Sequence, residues 1–327
     1  MGKSASPKRP TRRVTISNSR FQISNFKRFA RLLVFLCAFC GFAGNLFAQI
    51  EEPQINRKYA DLVHKQVYFI DVFQKGTVEE KRTALFEIRN LQSEIYSEFA
   101  IPALKDADEI VRATAAFSII YLPKDEAFNT LSPNLQDKSE LVRRETAYAL
   151  GKIKNPNAVN LLIQIFRRDK IIEVKNACVV ALGEIGDVSA IDFLTQILQQ
   201  KPTDKTEFLR RSAARSLGQI AQIIQIKASY TVTPESFLPE KYKLFTLQKY
   251  RNLTAKFPRF QTSVQVITQV LQSVKESDDA KREAAFALGV IGDVSAVAIL
   301  QNNLNSKDYY LAEICKESIK KLSSVNQ

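Results

Sequence analysis

Few residues of this chain are of the types that catalyse reactions or bind metals. Its 327 residues include one histidine, His64, and four cysteines, which excludes a histidine-rich metal site. Cys178 and Cys315 occupy the same apolar helical position in two sequence repeats, which favours small core residues over nucleophiles. Neither a glycine-rich phosphate loop after a strand nor a Gly-x-Ser-x-Gly motif occurs. We therefore expect no catalytic residues, no metal and no cofactor.

Arginine and aromatic residues recur four positions apart, a pattern typical of protein-binding surfaces. Residues four apart on a helix are neighbours, so Arg82 with Phe86, Arg144 with Tyr148 and Arg282 with Phe286 are predicted to form exposed pairs. Arginines and aromatics are favoured anchors at protein interfaces. The candidate partner-binding residues are Arg82, Phe86, Phe117, Arg144, Tyr148, Arg211, Arg215, Arg282 and Phe286. The alternative is that the aromatics pack between repeats and the arginines form a solvated face.

The charge distribution argues against a nucleic-acid partner. The formal net charge is +13, but residues 1–50 hold nine Lys or Arg and no acid, which leaves +4 on residues 51–327. Nucleic-acid-binding domains usually gather Lys and Arg on one face. Nucleic acid is therefore not an expected partner of the body of the chain.

The first 48 residues are predicted to be a secretory signal peptide. Nine basic residues precede a mostly apolar run, Leu32 to Phe47, which is followed by Ala48. We therefore expect export to the periplasm or beyond. Two alternatives stay open: an uncleaved anchor over residues 29–50 at the inner membrane, and a lipid-modified cysteine at Cys37 or Cys40.

The rest of the chain repeats a pattern at intervals of about 31 residues. Units start at residues 80, 111, 142, 174, 209, 280 and 311, and with few exceptions offsets 0, 4, 8 and 11 from each start are apolar or small. This spacing predicts one buried stripe of an α-helix, and a second amphipathic helix accompanies most units. Glycine at offset 9, as in Gly151 and Gly183, indicates a helix end or a close helix crossing. The 71-residue interval between starts 209 and 280 holds two units, or one unit with an insertion.

These repeats resemble the HEAT family, and in particular the short HEAT-like repeats named from phycobilisome bilin lyases. The resemblance rests on the runs from Val142 to Gly151, from Ala181 to Asp187 and from Ala287 to Asp293. It implies an all-α fold, a right-handed α-α superhelix or solenoid whose second helices line a concave surface. The family includes deoxyhypusine hydroxylase, which binds iron through His-Glu dipeptides. This chain has no His-Glu dipeptide, so the resemblance does not extend to that activity.

The predicted organisation follows from the repeat. Residues 49–77 form an N-terminal capping helix with Leu62, Val63, Val67, Ile70 and Phe73 inward. Residues 78–226 and 261–327 hold HEAT-like repeats. Residues 227–260, rich in basic and aromatic side chains, are a degenerate repeat or an insertion that meets an acidic partner or an anionic membrane surface.

Offset 1 is basic in almost every unit, and an aspartate precedes most units by five residues. A cation in the first turn of a helix opposes the helix dipole, so a nearby carboxylate is the expected partner. In HEAT-like proteins such residues form a ladder between stacked repeats. The resemblance assigns this structural role to Arg112, Arg143, Lys175, Arg210, Lys281, Asp106, Asp137, Asp169 and Asp204.

The sequence therefore predicts an exported HEAT-repeat scaffold or adaptor that binds a protein partner through its concave surface. Two alternatives are an enzyme or enzyme subunit of the bilin-lyase kind, and a peripheral membrane protein that docks through residues 227–260. The identity of the partner is not predicted.

Overall fold

A computed structural model describes residues 55–229 and 250–325, and both ranges are built of helices and turns without a strand. The predicted leader, residues 1–48, and most of the segment 227–260 lie outside the described residues. The chain divides into two units, residues 1–63 and 64–327. Within the described ranges, no helix has the length and apolar character needed to cross a membrane. The all-helical fold predicted from the repeat is confirmed for these ranges.

Fifteen α-helices lie in the described residues. In chain order they are α1 (Ile55–Lys75), α2 (Val78–Asn90), α3 (Glu94–Phe99), α4 (Glu109–Ser118), α5 (Lys124–Leu131), α6 (Glu140–Ile153), α7 (Ala158–Arg168), α8 (Ile172–Ile185), α9 (Ile191–Leu198), α10 (Asp204–Ser229), α11 (Leu253–Lys256), α12 (Arg259–Gln272), α13 (Asp278–Ile291), α14 (Val297–Asn302) and α15 (Tyr309–Ser323). Short 3₁₀ turns extend several of them, such as Ile101–Lys105 and Ser132–Gln136. Helices α2, α4, α6, α8, α10, α13 and α15 carry the repeated sequence, and we call them the second helices.

The second helices pack side by side in chain order, and the helices between them form a second layer. The core lies between the two layers because offsets 0, 4, 8 and 11 point there. In one repeat these positions are Val111, Ala115, Ile119 and Leu122, none more than 4% exposed. A single hairpin cannot bury such a stripe, so each repeat depends on its neighbours for stability.

Small residues set the close approach of consecutive second helices. A Cβ atom added to Gly289 would lie 2.5 Å from the Cβ of Ser318, and one on Gly183 would lie 2.7 Å from the Cβ of Ser216. Ser216 and Ser318 each donate a 2.9 Å hydrogen bond to a backbone carbonyl of the preceding second helix. Ser118, at the same offset, does so as well. The offset-9 glycines therefore mark close crossings.

The inward face of α1 differs from the predicted one. Phe69 is fully buried, and its ring lies 6.0 Å from that of Phe99 and 6.4 Å from that of Phe73. Val63, Val67 and Ile70 are 56%, 62% and 39% exposed, so the prediction that they face inward is wrong. Because the Phe69 ring offers the larger apolar area, its burial sets the rotation of α1.

The helices that precede the 71-residue interval contact those at its end directly. Helix α10 packs on α13 and α9 packs on α12, as consecutive helices do elsewhere. The buried amide of Gln225 joins the two sides by donating to Arg251 O at 2.7 Å and to Val290 O at 3.0 Å. Helices α10 and α13 are therefore consecutive second helices among the described residues, and residues 230–249 lie outside them.

Ion pairs connect the turns of consecutive repeats. The guanidinium of Arg112 binds both oxygens of Asp137, at 2.8 and 2.9 Å, and it also donates to Asp106 O. Arg143 binds Asp169 in the same bidentate way, at 2.6 and 3.2 Å. Lys81 Nζ lies 2.7 Å from Asp106. We call this series of pairs the ladder; each one connects a second helix to the turn before the next.

Three residues predicted for the ladder are not in it. Lys175 Nζ lies 5.4 Å from the centre of the Phe166 ring, and Lys281 has no carboxylate partner within the described ranges. Asp204 is the exposed first residue of α10, whereas Asp106, Asp137 and Asp169 stand three residues before their helices. An aspartate on the helix itself stabilises the helix dipole but lies away from the preceding repeat.

Two other residues take the acidic role further along the chain. The buried carboxylate of Glu276 pairs with Arg210, with both of its oxygens 3.1 Å from Arg210 Nε. Asp308 pairs with Arg282 at 2.7 and 3.0 Å in place of Lys281. Asp308 directly precedes α15, and this shift of two residues brings it to the next offset along α13.

We expect Asp137→Asn to lower the free energy of unfolding by about 2 kcal/mol, because it leaves the guanidinium of Arg112, which is 5% exposed, without its counter-ion. Burial raises the pKa of Asp137, but hydrogen bonds from Arg112 and Ser139 outweigh this and lower it below its ordinary value of 3.8. A carboxyl group whose pKa is lowered on folding stabilises the fold at pH values above its ordinary pKa. This stabilisation is lost as the pH falls through the lowered pKa. Urea unfolding of wild type and variant should therefore converge below pH 3.8. Asp71→Asn, which removes an exposed pair with Lys75, is the control and should leave stability unchanged.

Lys154→Gly should stabilise the protein by about 0.5–1 kcal/mol, because Lys154 ends α6 in the left-handed conformation, with φ 56°. Glycine holds the corresponding positions Gly186 and Gly292, at φ 73° and 83°. Glycine at the exposed helical position Gln265 should instead cost about 1 kcal/mol. Thermal unfolding of both variants tests this, and a loss of stability in Lys154→Gly would contradict it.

Candidate functional site

The exposed side of the second helices carries three rows of side chains across the repeats. They occupy offsets −1, 2 to 3 and 6, which lie on one helix face because they are three or four residues apart. The first and third rows are mostly apolar, and the middle row is mostly charged. The first row includes Ile110, Leu141, Phe208 and Tyr310, and the third includes Phe86, Phe117, Tyr148 and Phe286.

The two apolar rows meet in a groove of about 220 Å³ between α2, α4 and α6. We call it the apolar groove. Its residues are Phe86, Arg89, Ile110, Ala113, Thr114, Phe117, Leu141 and Glu145. Phe86 and Ile110 are 45% and 41% exposed, so a partner that covers them removes apolar surface from water.

The groove includes Ala113, a position where the middle row of charged residues is interrupted. The same offset holds arginine in four other repeats, at Arg82, Arg144, Arg211 and Arg282. Ala113 itself is 4% exposed and lines the groove. The groove therefore lies at a local difference between repeats, although the rows on both sides continue.

Two charged residues border the groove. The guanidinium of Arg89 lies over the Phe117 ring, 5.1 Å from its centre, and has no carboxylate partner in the described ranges. Glu145 accepts a hydrogen bond from Arg144 Nε at 2.9 Å, so its charge is balanced. The groove thus offers an apolar floor with one cation at its edge.

The predicted arginine–aromatic pairs do not form. Arg82 donates to Glu79 at 2.8 Å, Arg144 binds Glu145, and Arg282 binds Asp308. The ring that lies near the Arg282 guanidinium is Tyr310, at 5.2 Å. Each guanidinium has a carboxylate within reach, and a charge-assisted hydrogen bond outweighs a cation–π contact.

The other predicted partner-binding residues serve contacts between repeats. Arg211 lies 2.9 Å from Asp279, and Arg215 lies 3.5 Å from Glu283. Burial raises the pKa of Glu283, while the two arginines act in the opposite direction. This end of the face is therefore a network of charges that connects α10 to α13.

The remaining aromatics of the third row are half-buried between helices. Phe286 packs so closely on α10 that a Cβ atom at Gly218 would lie 2.7 Å from its ring, and Lys321 covers the ring at 5.2 Å. Tyr148 packs against the core. Of the predicted partner-binding residues, only Phe86 and Phe117 thus line the groove. Ile110, Ala113 and Leu141 were missed, although the absence of arginine at offset 2 was the available signal.

The residues of possible chemical interest lie apart from the groove. His64 is exposed on α1, and Cys178 and Cys315 are buried free thiols. Burial raises the pKa of Cys178 to about 12 and that of Cys315 to about 11, so both are protonated near neutral pH. Among the described residues, no cluster of three or more His, Cys, Asp or Glu has the arrangement of a metal site.

This fold, with its stacked helical hairpins, is that of a helical-repeat protein. The HEAT repeats model matches residues 97–182, and the PBS lyase HEAT-like repeat model matches residues 174–200 and 280–306. These matches identify HEAT repeats in this chain, including repeats of the PBS lyase type.

Several solved structures are similar to this chain. Human deoxyhypusine hydroxylase in complex with glycerol is 18% identical, with 81% of this chain and 99% of that chain covered at a TM-score of 0.35. The complex of CpcE and CpcF of phycocyanin lyase from Nostoc sp. PCC7120 is 21% identical, with 69% and 94% covered at a TM-score of 0.35. An engineered protein is 19% identical, with 70% and 96% covered at a TM-score of 0.44. No curated protein sequence matches the chain significantly. These similarities concern the fold alone.

Proposed function

We propose that the protein is a non-catalytic scaffold or adaptor that binds a protein partner through the exposed face of its second helices, centred on the apolar groove. The observation that carries this proposal is the groove itself. The apolar groove is lined by aromatic and aliphatic side chains and can accept one anchor residue of a partner. Such anchor residues dominate the binding energy at the centre of many interfaces. The helical stack holds these side chains on fixed backbones, so little ordering is needed on binding.

The surroundings of the groove support a protein partner over a small-molecule substrate. The groove is open and lies on a face whose apolar rows continue past it, with Phe208 and Tyr310 exposed further along. Small-molecule sites are usually concave cavities that enclose most of the ligand. An extended face with one central hole suits a partner segment that crosses several repeats.

Export by the leader at residues 1–48 belongs to the same proposal, with an inner-membrane anchor over residues 29–50 as the alternative. Contact between residues 227–260 and an anionic membrane surface stays a prediction from the sequence. The basic residues of the leader and the apolar run that follows them support export. The basic and aromatic composition of residues 227–260 supports contact with a membrane surface.

We expect Ala113→Arg to abolish partner binding without unfolding the protein, because arginine stands at this offset in four other repeats. The probe is a set of peptides selected from a displayed random library on the wild-type protein, with affinity measured by fluorescence polarisation. Filling the apolar groove should lower the affinity of these peptides at least about tenfold, equivalent to about 1.4 kcal/mol. Phe86→Ala should act in the same direction.

The matched control is Gln222→Arg, which adds the same side chain at an exposed position of α10. It should leave affinity unchanged, and both arginine variants should keep the wild-type melting temperature. Selected peptides that bind Ala113→Arg as tightly as wild type would contradict the proposal.

A further inference from the structure

A second groove, of about 500 Å³, lies at the turn between α7 and α8, where this turn meets the 3₁₀ turn Ser132–Gln136 of the preceding repeat. We call it the edge groove. It shares no lining residue with the apolar groove. Its aliphatic floor is formed by Leu135, Leu161, Ile165 and Ile171.

One pair of charges in the edge groove is already balanced. Asp169 accepts hydrogen bonds from Arg143 at 2.6 and 3.2 Å and from the backbone N–H of Ile171 at 3.0 Å. Arg143 also donates to the carbonyls of Asp137 and Lys138. This pair is a step of the ladder, so neither charge is free to bind a ligand.

Two other cations in the edge groove have no such partner. Arg168 ends α7 and Lys170 follows two residues later, and both side chains are exposed. Neither has an ion pair or a side-chain hydrogen bond with the described residues. Because Asp169 is the only acid in the lining and is neutralised, the groove carries a net positive charge above an apolar floor.

The uncharged polar groups narrow the class of ligand. Gln136 and Gln164 line the groove and are exposed, and each amide offers both a donor and an acceptor. A peptide backbone presents the complementary pair of groups at every residue.

We propose that the edge groove binds an acidic peptide segment, with aliphatic side chains on the floor and carboxylates paired with Arg168 and Lys170. Arginine binds a carboxylate through two parallel hydrogen bonds, and lysine adds a point charge beside it. This site is independent of the scaffold function proposed above, because its residues come from the turns and α7, with Arg143 the only one from a second helix.

The test uses the full chain and a fluorescein-labelled peptide, Asp-Leu-Glu-Ile-Asp, with blocked ends. We expect binding that weakens with added salt and falls at least about tenfold in the double variant Arg168→Glu, Lys170→Glu. The control Lys275→Glu, Lys307→Glu makes the same change of charge at two exposed lysines in other turns and should bind as wild type does. The milder double variant Arg168→Gln, Lys170→Gln covers the case in which charge reversal lowers the melting temperature, and it should also lose binding.

Two altered peptides and one vesicle assay separate the contributions. Asn-Leu-Gln-Ile-Asn, without charge, and Asp-Ser-Glu-Ser-Asp, without aliphatic side chains, should both bind more weakly. If the serine peptide bound as tightly as Asp-Leu-Glu-Ile-Asp, the proposal would be overturned, since the edge groove would then attract any anion. The proposal would also be overturned if the protein did not bind Asp-Leu-Glu-Ile-Asp, or if it bound phosphatidylserine vesicles but not this peptide. Unchanged binding of this peptide to Ala113→Arg separates the edge groove from the apolar groove.

Discussion

The structure depends on the close contact of consecutive second helices. Each hairpin has an apolar stripe that it cannot bury by itself, so the stripe is removed from water only when the next hairpin lies against it. Contact at this distance needs small residues, which is why glycine at Gly183 and Gly289 faces serine at Ser216 and Ser318. The serine hydroxyls then reach carbonyls of the preceding helix, so the same small side chains that allow the approach also contribute hydrogen bonds.

The ladder adds specificity to this packing. A bidentate pair such as Arg112 with Asp137 fixes the direction in which the turn approaches the preceding helix. Where the turn changes, the partner changes with it. Glu276 replaces an aspartate before α13, and Asp308 selects Arg282 over Lys281 because it lies closer to its helix. Consecutive second helices therefore stay in contact where the acidic partner changes, as α10 and α13 do.

Both proposed binding sites include residues that differ between repeats. The apolar groove includes Ala113, at an offset where four other repeats have arginine, and the edge groove has Arg168 and Lys170, which form no ion pair with the described residues, beside a complete ladder pair. In a repeat protein the shared positions are occupied by contacts between repeats, so surface for a partner is left mainly where one repeat differs from the others. Arg211, Arg215 and Arg282 were predicted to bind a partner, but they occupy such shared positions, since each already binds a carboxylate.

The sequence by itself determined the helical fold and the buried stripe, because both follow from local periodicity: apolar residues at offsets 0, 4, 8 and 11 have one good arrangement. It also predicted a helix end or a close crossing at the recurring glycines, and it indicated acidic partners for the basic residues at offset 1. The tertiary structure alone decided which charged group each arginine binds and which side of α1 faces inward, where Phe69 is buried in place of Val67 and Ile70. These choices depend on distances between side chains of different repeats. Such distances change by several ångströms when a turn shifts by two residues, and no sequence pattern within one helix encodes them.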